Sequence, residues 1–104
     1  MSSSQATGLP VVSAQIRIPQ HVVYRSFASE TVILNLETGK YHGVNPVGGA
    51  MLKALESCGT ISAAAAAIAS EYEASVEQIE RDLQTFSVDL AERGLVVIDG
   101  ADGR

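Results

Sequence analysis

His21, His42 and Cys58 are the residues of this 104-residue chain best suited to nucleophilic, acid–base or metal chemistry. Their spacing assembles none of it. The two histidines fall in different predicted strands, and neither adjoins a Ser or Cys nucleophile motif. No metal-ligand spacing joins them to a carboxylate or to the cysteine. One cysteine excludes an internal disulfide, and Cys58, followed by Gly59, reads as a small residue filling a turn between helices. Gly39, Gly43, Gly48 and Gly49 match neither the Walker nor the dinucleotide-binding pattern. Catalysis and cofactors are therefore not expected. The chemistry left is that of recognition.

Residues 30–45 supply it. Val32, Leu34 and Leu36 alternate with Ile33 and Asn35, the period of a strand. Glu37-Thr38-Gly39 fits a short hairpin loop with Gly39 at the position that needs positive φ. The chain returns through Lys40, Tyr41, His42, Gly43 and Val44. Asn45-Pro46 then gives an N-cap followed by proline at the first helical position. No later segment is an obvious partner for this returning strand, so its free N–H and C=O groups can pair with an extended peptide. Tyr41 must face away from His42 and Val44, because side chains alternate along a strand.

The remaining elements follow from periodicity. His21 to Phe27 predict a first strand, ended by the Ala28-Ser29-Glu30 turn. Val47, Ala50, Met51, Ala54 and Leu55 form the apolar stripe of a first helix. Gly48 and Gly49 in its first turn cost about 1 kcal/mol each against alanine, which points to close backbone packing there. Thr60 caps a second helix with the stripe Ile61, Ala64, Ala65, Ile68, Ala69 and Tyr72. Ser75 and Gln78 suggest a capping box opening a third, whose apolar face is Val76, Ile79, Leu83, Phe86 and Leu90, with Gly94 as the stop. Leu95 to Ile98 predict a short strand or tail that closes the domain or makes a small wing. The class is α+β, winged-helix-like: a three-stranded antiparallel sheet followed by three helices. The third helix is the natural wall of a peptide groove beside the returning strand.

Composition bounds the function. Hydrophobic residues make up 46% of the chain, enough for one modest core. No apolar run reaches the ~20 residues of a membrane span, and residues 1–15 lack the pattern of a secretory signal. A cytoplasmic location is expected, with 1–15 as a flexible tail, 16–99 as the domain and 100–104 as a short C-terminal tail. The net charge of −5 is uneven: residues 1–45 balance at +1 and the rest at −6. An acidic third helix, with Glu77, Glu80, Asp82, Asp89 and Glu92 against Arg81 and Arg93, would repel phosphates. That disfavours a winged-helix regulator of nucleic acid.

The pattern Glu30-x-x-x-Leu34-x-Leu36-x-x-Gly39-x-Tyr41-x-x-Val44-Asn45-x-x-Gly48, then Thr60, then a long helix ending Arg93-Gly94-Leu95-Val96, resembles the PqqD-like family of leader-peptide recognition domains. The resemblance spans about residues 20–98. Within the family, residues 39–48 look most like the discrete recognition proteins of lasso-peptide biosynthesis. It implies a non-catalytic protein that binds the leader of a ribosomally made precursor as an added strand. It further implies delivery to a leader peptidase of cysteine-protease type and to an ATP-dependent macrocyclase. On this resemblance the binding strand is Lys40, Tyr41, His42, Gly43 and Val44, and the helix wall comes from Asp82, Leu83, Phe86 and Asp89. The family often carries a second aromatic where this chain has His42, and a bulky residue where it has Met51. An adaptor for another modifying enzyme, such as a radical-SAM protein, is the alternative.

Overall fold

The computed structural model describes residues 12–99. The elements are β1 (Gln15–Arg17), β2 (Val22–Ser26), β3 (Thr31–Asn35), β4 (Tyr41–Val44), α1 (Pro46–Cys58), α2 (Ile61–Tyr72), α3 (Val76–Glu92) and β5 (Val97–Asp99). An antiparallel sheet runs in the order β2-β3-β4, and β1 pairs with β5 in a second, two-stranded sheet. The α+β architecture expected from the sequence is therefore present, with three helices directly after the three-stranded sheet.

One face of that sheet is buried. The register sets Tyr24, Ile33 and His42 side by side, and Thr31 beside Val44. Thr31, Ile33 and Asn35 of the central strand are all buried, as is Val22. Below them Leu52 and Leu55 of α1, Ile61, Ala64 and Ala65 of α2, and Leu83 and Leu90 of α3 complete one core. The alanine run of α2 is what lets three helices share so small a centre, since short side chains allow close approach. Ser87 is also fully buried, and its hydroxyl has no hydrogen-bond partner among the described residues.

Each helix starts where its cap residue stands. Asn45 Oδ1 accepts from the Gly48 N–H at 2.8 Å, Thr60 Oγ1 from Ala63 at 3.1 Å, and Ser75 Oγ from Gln78 at 3.3 Å. The expected capping box is only half formed. The Gln78 amide instead donates to Asp82 Oδ1 and its carbonyl accepts from Arg81. Gly59, at φ 84°, ends α1 in the left-handed conformation that glycine adopts without strain.

The N-terminal boundary differs from expectation. Residues 12–15, read as tail, belong to the packed domain: Ala14 is buried and the Ser62 N–H donates to the Val12 carbonyl at 2.8 Å. β1 then buries Ile16, while the Ile16 N–H donates to the Gly59 carbonyl. A three-residue strand with one buried side chain is too short to show a period. It also gives the C-terminal strand its partner, so β5 closes the domain by pairing with β1. The remainder of the expected tails, 1–11 and 100–104, lies outside the described residues.

Two contacts fix α1 on the sheet. A Cβ built at Gly49 would stand 2.1 Å from Thr31 Oγ1, so only a glycine permits this approach. Tyr24 reaches from β2 to donate its hydroxyl proton to Glu56 of α1. Burial first, and then the Glu56 carboxylate, push the Tyr24 phenol from 10.0 up to about 12. A phenol whose folded pKa is raised contributes its stabilisation below the unfolded value and loses it as pH climbs through the folded one.

Gly49→Ala should therefore destabilise the domain by about 1–3 kcal/mol, the cost of overpacking, as read from urea unfolding. Alkaline titration followed by phenolate absorbance should show one of the three tyrosines ionising near pH 12. Stability should fall between pH 10 and 12, and Tyr24→Phe should remove that part of the fall.

Candidate functional site

β4 lies at the edge of its sheet, with β3 on one side and no strand on the other among the described residues. Which of its main-chain groups are free follows from the ladder. The Asn35 N–H donates to the Lys40 carbonyl at 2.9 Å. In an antiparallel pair, hydrogen-bonded positions recur every second residue. His42, opposite Ile33, and Val44, opposite Thr31, therefore exchange their bonds with β3. The N–H and C=O groups of Tyr41 and Gly43 point away from the sheet. Lys40 precedes the strand, in the turn.

The side chains divide the other way. His42 and Val44 face the helices, half-buried, whereas Tyr41 stands on the outer face at 73% exposure. Gly43, also outward, leaves a space that the Glu30 carboxylate fills: a Cβ there would lie 2.7 Å from Glu30 Oε1.

α3 packs mainly against α2 and β5 and stands off from the edge strand. Asp82, Phe86, Asp89 and Arg93 recur at spacings of four, three and four, so they share one face of this helix. Asp82 and Asp89 are exposed and Phe86 is half-buried against the core. Leu83 lies behind this row at 0% exposure and serves the core, not the surface. At the C-terminal end of the row the Arg93 guanidinium approaches His42 Nδ1 at 3.5 Å and pairs with Asp89 at 3.2 Å. The second histidine, His21, which the sequence reading left out of any site, lies beside Glu37 on the far flank of β3, away from His42.

At the opposite end of the row a cleft of about 300 Å³ opens where β4 runs into α1. Pro46, Val47, Ala50 and Met51 of α1, Ile68 and Tyr72 of α2, and Ile79 of α3 line it, with Asp82 at its lip. Its lining is apolar with one convergent charge, the usual character of a binding pocket. Sequence reading placed Val47, Ala50, Met51, Ile68, Tyr72 and Ile79 in the apolar stripes of the helices and did not single them out as a site, whereas Asp82 was expected in the helix wall. The visible signal was that each stripe extends beyond what a small core needs, at Val47 in the first turn of α1 and Tyr72 in the last of α2. Both stay exposed.

The site thus combines a free strand edge, a helix row alongside it, and an apolar cleft at one end. Such an arrangement suits extended chain better than a reacting group. Among the described residues no cluster of three His, Cys, Asp or Glu side chains is placed to hold a metal ion, and no helix is long and apolar enough to cross a membrane. Cys58 is half-buried and packs at the edge of the core.

Residues 30–96 match the sequence profile of the coenzyme PQQ synthesis protein D (PqqD) family. Among solved structures, the chain is 34% identical to TbiB1, determined in complex with the TbiA(beta) leader peptide. That match has a TM-score of 0.69 over 77% of this chain and 93% of the other. It shares its fold with lasso peptide synthetase B1, also complexed with a leader peptide, at 23% identity and a TM-score of 0.70, covering 81% and 99% of the two chains. No curated protein matches.

Core and cleft should separate on truncation. Val47→Ala and Tyr72→Ala should change stability by less than about 1 kcal/mol, as at other exposed positions. Leu83→Ala should cost about 2–5 kcal/mol. Equilibrium unfolding of the three variants checks this.

Proposed function

The chain belongs to the PqqD family, and from that premise we propose that it is a non-catalytic recognition protein for the leader of a ribosomally made precursor, that of a lasso peptide. The observation that carries this reading is the 34% identity, across 93% of its length, to TbiB1, a protein solved with a leader peptide bound. The leader adds to the sheet as a strand along β4, between that strand and α3. Main-chain pairing uses the outward groups of Tyr41 and Gly43. Lys40, His42 and Val44 flank them, and Asp82, Phe86 and Asp89 form the wall. The protein then presents the leader to a separate leader peptidase of cysteine-protease type and to an ATP-dependent macrocyclase. The compartment is the cytoplasm.

Magnitudes decide how the parts share the work. Two outward residues offer roughly four main-chain hydrogen bonds, each contributing about 0.5–1.5 kcal/mol net. Ordering the peptide costs about 2–5 kcal/mol. Edge pairing alone therefore roughly offsets its own cost. An apolar side chain seated in the cleft adds about 1.5–3 kcal/mol, so the cleft supplies the affinity and the edge supplies the direction. Asp82 at the lip favours a leader with a basic or amide group beside that anchor.

The test is a titration of the purified protein with the leader encoded beside its gene, with a scrambled leader as control. Saturable binding of the true leader alone is expected; equal binding of both, or of neither, would sink the reading. Gly43→Pro removes an outward N–H without touching the pairs to β3. It should weaken leader binding about tenfold while Gly43→Ala, which keeps that donor, binds more nearly like wild type.

A further inference from the structure

The two walls of the groove, β4 and α3, are joined by a side-chain bond. Arg93, just past the end of α3, reaches across to His42, with its Nη1 3.5 Å from His42 Nδ1. The chemistry of the pair fixes which group donates. A guanidinium carries five N–H donors and no acceptor, so this is a hydrogen bond only while Nδ1 is bare and accepts. The ring is then neutral, with its proton on Nε2. A second proton turns the acceptor into a donor and sets two cations face to face, which undoes the bond. At 3.5 Å the bond is long, so little is lost on opening it. Asp89 pairs with the same guanidinium through Nε at 3.2 Å, so Arg93 is also anchored on its own helix. The other titratable groups around the ring are turned outward or engaged. Lys40, two residues earlier, is exposed in the turn, and Ile33, beside His42 on β3, is uncharged. Tyr24, next in that rung on β2, gives its hydroxyl proton to Glu56 of α1.

We propose that the Arg93–His42 bond is a latch across the leader groove, held by neutral His42 and released by its protonation, so that the protein takes up leader more tightly in mild acid. The inference deepens the recognition role proposed above and rests on it. Position supports it. A peptide strand paired to β4 sets a side chain beside His42 on the helix face, about 4.5–5.5 Å away. The Arg93 guanidinium spans that same space on its way to Nδ1. Leader and latch therefore compete for one place, and leader seats only in the fraction of molecules whose latch is open. Packing supports it as well. Because α3 packs mainly on α2 and β5, turning one arginine side chain opens this end of the groove without moving a helix. Histidine is the side chain whose charge ordinarily changes between pH 5 and 8. Acidification through that range raises the open fraction, and leader and proton select the same form. Releasing one such bond corresponds to about two- to tenfold in affinity.

The experiment titrates the full chain with the leader encoded beside its gene, at about pH 8 and about pH 5.5, for wild type, His42→Asn and Arg93→Ala. The asparagine sets a non-titrating acceptor where Nδ1 stood, and the alanine removes the donor. Wild type should bind about threefold or more tightly in acid. His42→Asn should bind at both pH values as weakly as wild type at the higher one. Arg93→Ala should bind at both as tightly as wild type in acid. Losing the Arg93 charge shifts both values alike, so the readout is the loss of the pH response. Ring-nitrogen chemical shifts of the unliganded wild type should report a bare Nδ1 on His42 at the higher pH. They decide the state of the bond even if His42→Asn fails to fold. A proton on Nδ1 there overturns the latch, as does a pH response that survives unchanged in Arg93→Ala. Weaker leader binding by Arg93→Ala at both pH values also overturns it, because the contact would then brace the groove. Wild-type binding that stays level or weakens in acid defeats the latch alone and leaves the recognition role standing. If wild type binds leader at neither pH, the recognition role falls and this proposal with it.

Discussion

The approach of α1 to the sheet at Gly49 is the constraint on which the rest of the molecule depends. With a hydrogen in place of a side chain, the helix backbone settles directly on Thr31 of the central strand, and Gly48, one residue earlier, comes close to Val44. That contact puts the first turn of α1 flush with the end of β4. Pro46 and Val47 thereby become the floor at the mouth of an apolar cleft, and α2 and α3 close its sides. The same contact keeps the helices on one face of the sheet. A larger residue would lift α1 away, open the core beneath Leu52 and Leu55, and misalign the cleft with the strand that leads into it.

From this placement the division of labour along the edge strand follows. The residues that bond to β3, His42 and Val44, turn their side chains toward the helices, and the residues that offer free backbone, Tyr41 and Gly43, turn theirs outward. Backbone pairing is indifferent to sequence, so a free edge by itself would hold many peptides weakly. On the proposed reading, discrimination falls to the two ends of the α3 row: an apolar cleft with Asp82 at its lip, and the Arg93–His42–Asp89 group at the other. A recognition protein built this way can accept a leader in one register without any group that reacts with it.

Much of this was legible before any coordinates. The hairpin, the cap at Asn45, the three helices and the edge position of Lys40 to Val44 rest on local signals: alternation, a glycine at positive φ, cap residues, helical spacing. Tyr41 facing away from His42 follows from the strand period alone. The tight seat of Gly48 and Gly49 was readable as a helix-propensity cost that needs a reason. Less was legible of the site. Leu83 and Phe86 have the same apolar character and neighbouring places on one helix, yet one is sealed in the core and the other half-open. Val47, Met51, Ile68 and Tyr72 read only as members of apolar stripes, because periodicity reports which face is apolar, never whether a neighbour covers it.

The sequence by itself determined the hairpin, the three helices, their order and the sign of the charge on each half, because each of these depends on residues close together in the chain. Tertiary structure alone decided three other things. It drew Val12 to Arg17 into the domain, where β1 meets β5 across nearly the full length of the chain. It brought α1, α2 and α3 together around a cleft that no single helix contains. It left an apolar rung of the sheet uncovered. All three depend on which surfaces remain after packing, and that is a property of the whole chain folded together: burial is assigned only when every element has taken its place.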